Sequence, residues 1–138
     1  MTLYIDENLP SQLAKAFDLL QEPLNERNNT RIRVRSLAET FQRGVKDEEW
    51  IPALGKEPSC IITQDFNIRR TRHLKALCGQ YGLGMFFIRP PSKKGLPYWG
   101  FVRLLTRHWE EMVRIATREK RPFAYRMSQR SSRLEKLD

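Results

Sequence analysis

The sequence predicts an α/β fold in three layers, a mostly parallel central sheet with helices on both faces. Two observations carry that prediction. Short apolar stretches suited to strands recur at 2–6, 59–63 and 83–88, and segments with helical apolar spacing lie between and after them. Strand–helix alternation of this kind builds a parallel sheet covered on both sides, with right-handed crossovers. A chain of 138 residues suits a single domain, 1–138, and no repeat or linker divides it.

Residues 2–6 form the first strand, which delivers Asp6 to its C-terminal end. Pro10 opens a helix, because its fixed φ suits a first helical turn and its missing N–H costs nothing there. That helix runs to about Gln21, with Leu9, Leu13, Ala16, Phe17, Leu20 and then Leu24 as its apolar stripe. Asn25 to Thr30 reads as a polar turn. Arg31-Ile32-Arg33-Val34-Arg35 alternates basic with β-branched residues, the pattern of a half-buried strand at a sheet edge.

Within Ser36 to Val45, Leu37-Ala38-Glu39-Thr40-Phe41 reads as a helical turn or an ordered loop, and Gly44 marks a break. Lys46 to Ile51 starts a helix with acids in its first turn, where the macrodipole favours them, and Pro52 keeps that helix short. Ser59 to Thr63 is a buried strand ended by Asp65. A helix from about Phe66 to Cys78 closes at Gly79, exposing Arg69, Arg70, Arg72, His73 and Lys75. Leu83 to Ile88 is the next strand, stopped by Pro90-Pro91, and Ser92 to Leu96 is a basic, flexible loop. The longest helix spans about Tyr98 to Thr117, with Tyr98, Val102, Leu105, Trp109, Met112 and Ala116 on its apolar face. Phe123 to Met127 is a last short strand or arm, and the basic tail from about 128 is loose at its end.

The formal charge of +9, from 25 basic and 16 acidic residues, favours a polyanionic partner, nucleic acid first. No apolar run is long enough to span a bilayer, so no membrane is expected, and the expected location is cytoplasmic. Cys60 and Cys78 read as buried free thiols without zinc spacing, and His73 and His108 lie too far apart for a histidine-based metal site.

If the first and third strands are neighbours, Asp6 and Asp65 end side by side at a topological switch point, the crevice where open α/β sheets bind ligands. Asp47 joins them if the loop before its helix returns to the same edge. Asn8 and Asn67, two residues beyond Asp6 and Asp65, are polar supports. Glu39 is a further candidate acid. Two carboxylates 4 Å apart repel by about 4 kcal/mol at an effective dielectric near 20, so such a cluster calls for cations or raised pKa values. Hard divalent ions take oxygen ligands of this kind and complete their shells with water and substrate phosphates. Arg69, Arg70, Arg72 and His73 follow Asp65 as a phosphate-binding track, which Lys93 and Lys94, and then Arg118, Lys120 and Arg121, extend. Capping of the following helices is the competing role for Asp47 and Asp65.

Asp6-Glu7-Asn8 after an apolar strand, Asp47-Glu48-Glu49-Trp50-Ile51, and Ile61-Ile62-Thr63-Gln64-Asp65 together resemble the acid motifs of PIN-like nuclease domains. The opening Ile5-Asp6-Glu7-Asn8-Leu9-Pro10 looks closest to the small PIN-like toxins of bacterial toxin–antitoxin pairs. The resemblance covers residues 1–90 and, more loosely, 122–127. It implies a Mg²⁺- or Mn²⁺-dependent endoribonuclease, with Asp6, Asp47 and Asp65 as metal-binding and catalytic acids and an antitoxin as protein partner. A homodimer is a further expected association. The chain departs from the family pattern in two places. Only Glu39 stands near the usual second acid, and Asn67 replaces the second acid of an Asp-x-Asp pair. A catalytically weak PIN-like module that binds RNA or an antitoxin is the alternative. A phospho-acceptor domain would share the Asp6-Glu7 pair but wants a lysine after the last strand, where Ile88-Arg89-Pro90 has none.

Overall fold

Three parallel stretches of apolar sequence form the middle of one six-stranded sheet. A computed structural model describes residues 1–65, 68 and 71–137. In chain order the elements are β1 (Thr2–Ile5), α1 (Ser11–Asn28), β2 (Arg33–Ser36), α2 (Leu37–Thr40), α3 (Asp47–Leu54), β3 (Ser59–Thr63), α4 (Arg72–Gln80), β4 (Gly84–Ile88), α5 (Tyr98–Arg118), β5 (Phe123–Met127) and β6 (Glu135–Lys136). The strand order is β2-β1-β3-β4-β5-β6. Every pairing is parallel except β5 with β6.

Side chains alternate across a strand, and the core divides accordingly. Leu3, Ile5, Cys60, Ile62, Phe86 and Ile88 pack with α1 and α5 on one face. Ile61, Met85 and Phe87 pack with α3 and α4 on the other. This is the three-layer α/β arrangement that the strand–helix alternation predicts. β2 lies at the sheet edge, with Arg33 and Arg35 exposed and Val34 and Ser36 buried, as its alternation predicts. Asp18 of α1 holds that edge through Val34 N–H (2.9 Å) and Arg35 (3.0 Å).

Several boundaries differ from expectation. α1 continues past Gln21 and Pro23 to Asn28, and Asn29 caps it in the left-handed region at φ 52°. The Asn25 carboxamide explains the extra turns. It accepts from Ile32 N–H, Thr30 Oγ1 and Gln21 Nε2, so the polar residues read as a turn are the ones that fasten the helix to the following loop. Gln21 is buried and accepts from the Trp109 indole at 2.8 Å, so the stripe is Leu13, Ala14, Phe17 and Gln21. Ala16 and Leu20, expected on that stripe, are exposed. α4 runs through Gly79 and closes instead at Gly82, whose φ of +64° an L side chain rarely adopts. Leu83 N–H bonds Cys78 C=O and Gly82 N–H bonds Gly79 C=O, the paired bonds of a Schellman end. On α5 the buried face adds Phe101, Leu104 and His108, while Tyr98 is exposed. The tail is not loose throughout: β6 pairs with β5, and Arg126–Glu135 and Lys136–Glu119 tie it down. No described helix is long and apolar enough to cross a membrane.

Candidate active site

β1 and β3 are neighbours, with Ile5 paired to Ile62. The next residues therefore meet at the C-terminal edge of the sheet. Asp6 N–H bonds Ile62 C=O at 3.0 Å, and the Thr63 hydroxyl donates to Asp6 Oδ2 at 2.9 Å. The Asp65 N–H in turn donates to Thr63 Oγ1 at 2.9 Å. An amide can only donate, so the single hydroxyl proton of Thr63 is committed to Asp6. Glu7 N–H donates to the other oxygen, Oδ1, at 2.8 Å. Both oxygens of the Asp6 carboxylate thus have a fixed donor. Thr63 sits inside the Thr-x-Asp motif but is not among the site residues that sequence reasoning selects. The available signal was a hydroxyl ending a buried strand, beside the strand that ends in Asp6.

Asp6 is 9% exposed. Burial pushes its pKa above the usual aspartate value. The Thr63 and Glu7 hydrogen bonds oppose that rise, and the negative charges of Asp65 and Glu7 add to it.

Asp47 is the first residue of α3, and Lys46 holds the N-cap position. Asp47 makes no side-chain cap bond there. Its Oδ1 accepts from the buried Trp50 indole at 2.8 Å. Capping is therefore not its role in this fold. Its pKa is also raised, by burial first, against the Trp50 hydrogen bond, with Asp65, Glu48 and Glu7 adding to the rise. Asp65 acts electrostatically on both Asp6 and Asp47, whereas those two do not figure in each other's shifts. Asp65 is the electrostatic link between them.

The Glu7 side chain has a structural partner. Its Oε2 accepts from Gly44 N–H at 3.0 Å, and Gly44 adopts φ +81°. This contact closes the 41–46 loop onto the end of β1, which is the return that brings the α3 start to the acid edge. Asn8 is exposed in the β1–α1 turn that Leu9 N–H closes on Asp6 C=O. Glu39 is exposed and pairs with Lys15 of α1 at 3.8 Å, and it does not figure among the charges acting on Asp6 or Asp47.

Arg72 and His73 are exposed in the first turn of α4. Asn67, Arg69 and Arg70 lie outside the described residues. Lys93 and Lys94 follow β4 at the same edge as the acids. Arg118, Lys120 and Arg121 do not extend that track: α5 runs back across the sheet, so they lie where β5 begins, at the opposite edge. Burial pushes the Cys60 thiol up to about 12 and Cys78 up to about 11, so neither supplies a thiolate nucleophile.

Among the described residues, Asp6, Glu7 and Asp47 have no cationic side chain within salt-bridge distance, and no three Asp, Glu, His or Cys side chains are gathered into a ready-made metal cage. The donors are hard carboxylate oxygens. They fit an ion such as Mg²⁺, which keeps several waters and takes one or two carboxylates beside substrate phosphates. A family model described as a PIN-like domain matches residues 1–90. No curated protein matches, and no solved structure matches.

Proposed function

This chain belongs to the PIN-like domain family, whose members are generally nucleases, and we propose that it is a metal-dependent endoribonuclease and the toxin of a toxin–antitoxin pair. The observation that carries the reading is the Asp6 carboxylate: buried, with both oxygens fixed, its pKa raised, and the acids Asp65 and Glu7 acting on it. Such a group costs stability when ionised and finds its use when a cation arrives.

Asp6, Asp65 and Asp47 would hold Mg²⁺ or Mn²⁺. Bound there, the ion would lower the pKa of a water and neutralise charge on the departing oxygen of a phosphodiester. The rest falls to the chain. Thr63 keeps Asp6 Oδ2 in place and biases it toward the ionised form. The Glu7 amide does the same at Oδ1. The Glu7 carboxylate holds the loop that presents Asp47. Arg72 and His73 supply exposed donors for RNA phosphates beside the acids.

A second reading, a PIN-like module that binds RNA or an antitoxin with little turnover, is favoured by the lack of three gathered ligands among the described residues. One experiment separates them: cleavage of a single-stranded RNA with Mn²⁺, by the native chain and by Asp6→Asn. Metal-dependent cleavage lost in the variant supports the ribonuclease. Metal-dependent cleavage that survives it overturns the assignment of Asp6. RNA binding without cleavage by either supports the binding module.

A further inference from the structure

The family match ends at residue 90, and the sequence changes character there. From Arg89 to Trp109 there are five lysines and arginines and no acid. Within that stretch Trp99 is 64% exposed and Tyr98 40%, while Trp50 and Trp109 are 3% and 5% exposed. The Tyr98 and Trp99 rings meet edge to face, 5.7 Å apart at 88°, which fixes the indole without covering it.

The supporting backbone is well built. Gly95 N–H closes a turn on Ser92 C=O at 3.0 Å, with Gly95 at φ +75°, so the loop read as flexible holds a hydrogen-bonded turn. Leu96 is buried, and Gly100 leaves only enough room for Leu96 and Pro97 to pack against the first turn of α5. Arg103 is exposed one turn beyond Trp99, on the same helix face. Arg89 and this turn leave the C-terminal end of β4, the strand next to β3. Trp99 therefore stands at the sheet edge that carries Asp6 and Asp65.

We propose that the turn after β4 and the start of α5 bind unpaired bases of single-stranded RNA, with Trp99 as the stacking surface and Arg89, Lys93, Lys94 and Arg103 on the backbone. The proposal deepens the ribonuclease reading and rests on it for the choice of RNA. An exposed indole ring flanked by cations matches what a single strand offers, an accessible base face next to phosphates. A duplex hides the faces of all but its terminal pairs and presents mainly phosphates and groove edges.

The test uses the full chain and a short 2′-O-methyl pyrimidine oligonucleotide, which resists cleavage, without metal. Trp99 is the accessible tryptophan, so base stacking reads out as quenching of tryptophan fluorescence. Saturable quenching is expected with the single strand and not with a blunt duplex. Trp99→Ala should lose the quenching and bind about 5- to 150-fold more weakly, the equivalent of one stacked base. Trp99→Phe should recover most of the affinity.

Unchanged affinity in Trp99→Ala, or equal quenching by the duplex, overturns the proposal. So does Trp99 emission that shifts with chain concentration alone, which would assign the ring to a second copy. Cleavage of RNA with Mn²⁺, measured in parallel, separates the two claims. Quenching without cleavage keeps the platform and removes the nuclease, and cleavage indifferent to Trp99 does the reverse.

Discussion

Asp6 is buried and Asp47 half-buried, and both have raised pKa values, yet the fold holds them in different ways. Asp6 sits at a strand end, clamped by the Glu7 amide and by a hydroxyl from the neighbouring strand. Asp47 sits at the start of a short helix after a loop, and the Trp50 indole N–H donates to it. The sheet register alone places the first. The second depends on its loop, which the exposed Glu7–Gly44 contact and the half-buried Phe41 and Val45 hold in place. Strand-end chemistry is therefore built into the core, while loop-borne chemistry is attached to it and is easier to detach.

The largest expected effect breaks the strand-end side. On the proposed function, Asp6→Asn should lower Mn²⁺-dependent RNA cleavage by more than about 100-fold, since loss of a ligand should exceed the ~10–100-fold typical of its supporting groups. Thr63→Val, nearly isosteric, should lower cleavage by ~10–100-fold. It should also destabilise the metal-free chain by about 1–3 kcal/mol, because it leaves a buried carboxylate oxygen without its donor. Chemical denaturation reads the second effect directly.

Metal-free stability sharpens the comparison. An Asp47→Asn amide can still accept from Trp50 while losing the repulsion from Asp65, so the variant should match or exceed the native chain. The Glu7 and Thr63 donors sit on different Asp6 oxygens, so Asp6→Asn sets an NH2 group against one of them and should gain less than Asp47→Asn in the same melting experiment. Equal gains would show that the Asp6 clamp contributes nothing.

The pH dependence follows from the same acids. Both have folded-state pKa values above the ordinary 3.8. The folded chain then holds more protons than the unfolded one just above that value, and stability falls as pH rises from 3.8 through the raised values. Each Asp→Asn variant should flatten that fall in metal-free melting curves. The smallest effect belongs to Glu7→Ala. It should speed hydrogen exchange at the Gly44 amide and lower cleavage modestly, with β1 and β3 amides unchanged.

The strands were legible because apolar runs of strand length leave few alternatives, whereas the pairing of β1 with β3 entered only as a condition, since no residue pattern fixes which strands are neighbours. Asp6, Asp47 and Asp65 were legible as acids at element ends. Thr63 and Glu7 were not, because their roles depend on which neighbour lies across the sheet or loop. The length of α1 was hidden by Asn25, a turn-former in isolation that the fold uses as a hub. β6 was hidden for a similar reason: Glu135-Lys136 has no strand pattern of its own and pairs through Arg126, Glu119 and the β5 backbone.

That short antiparallel strand bears on how this protein can associate. It covers the β5 margin with two charged residues, while the opposite margin, β2, presents Arg33 and Arg35. A chain seeking to join by β-augmentation meets a charged border on either side, and edge-to-edge aggregation meets the same obstacle. A protein partner is therefore steered to the side-chain surfaces of the helices and loops rather than to the backbone of the sheet.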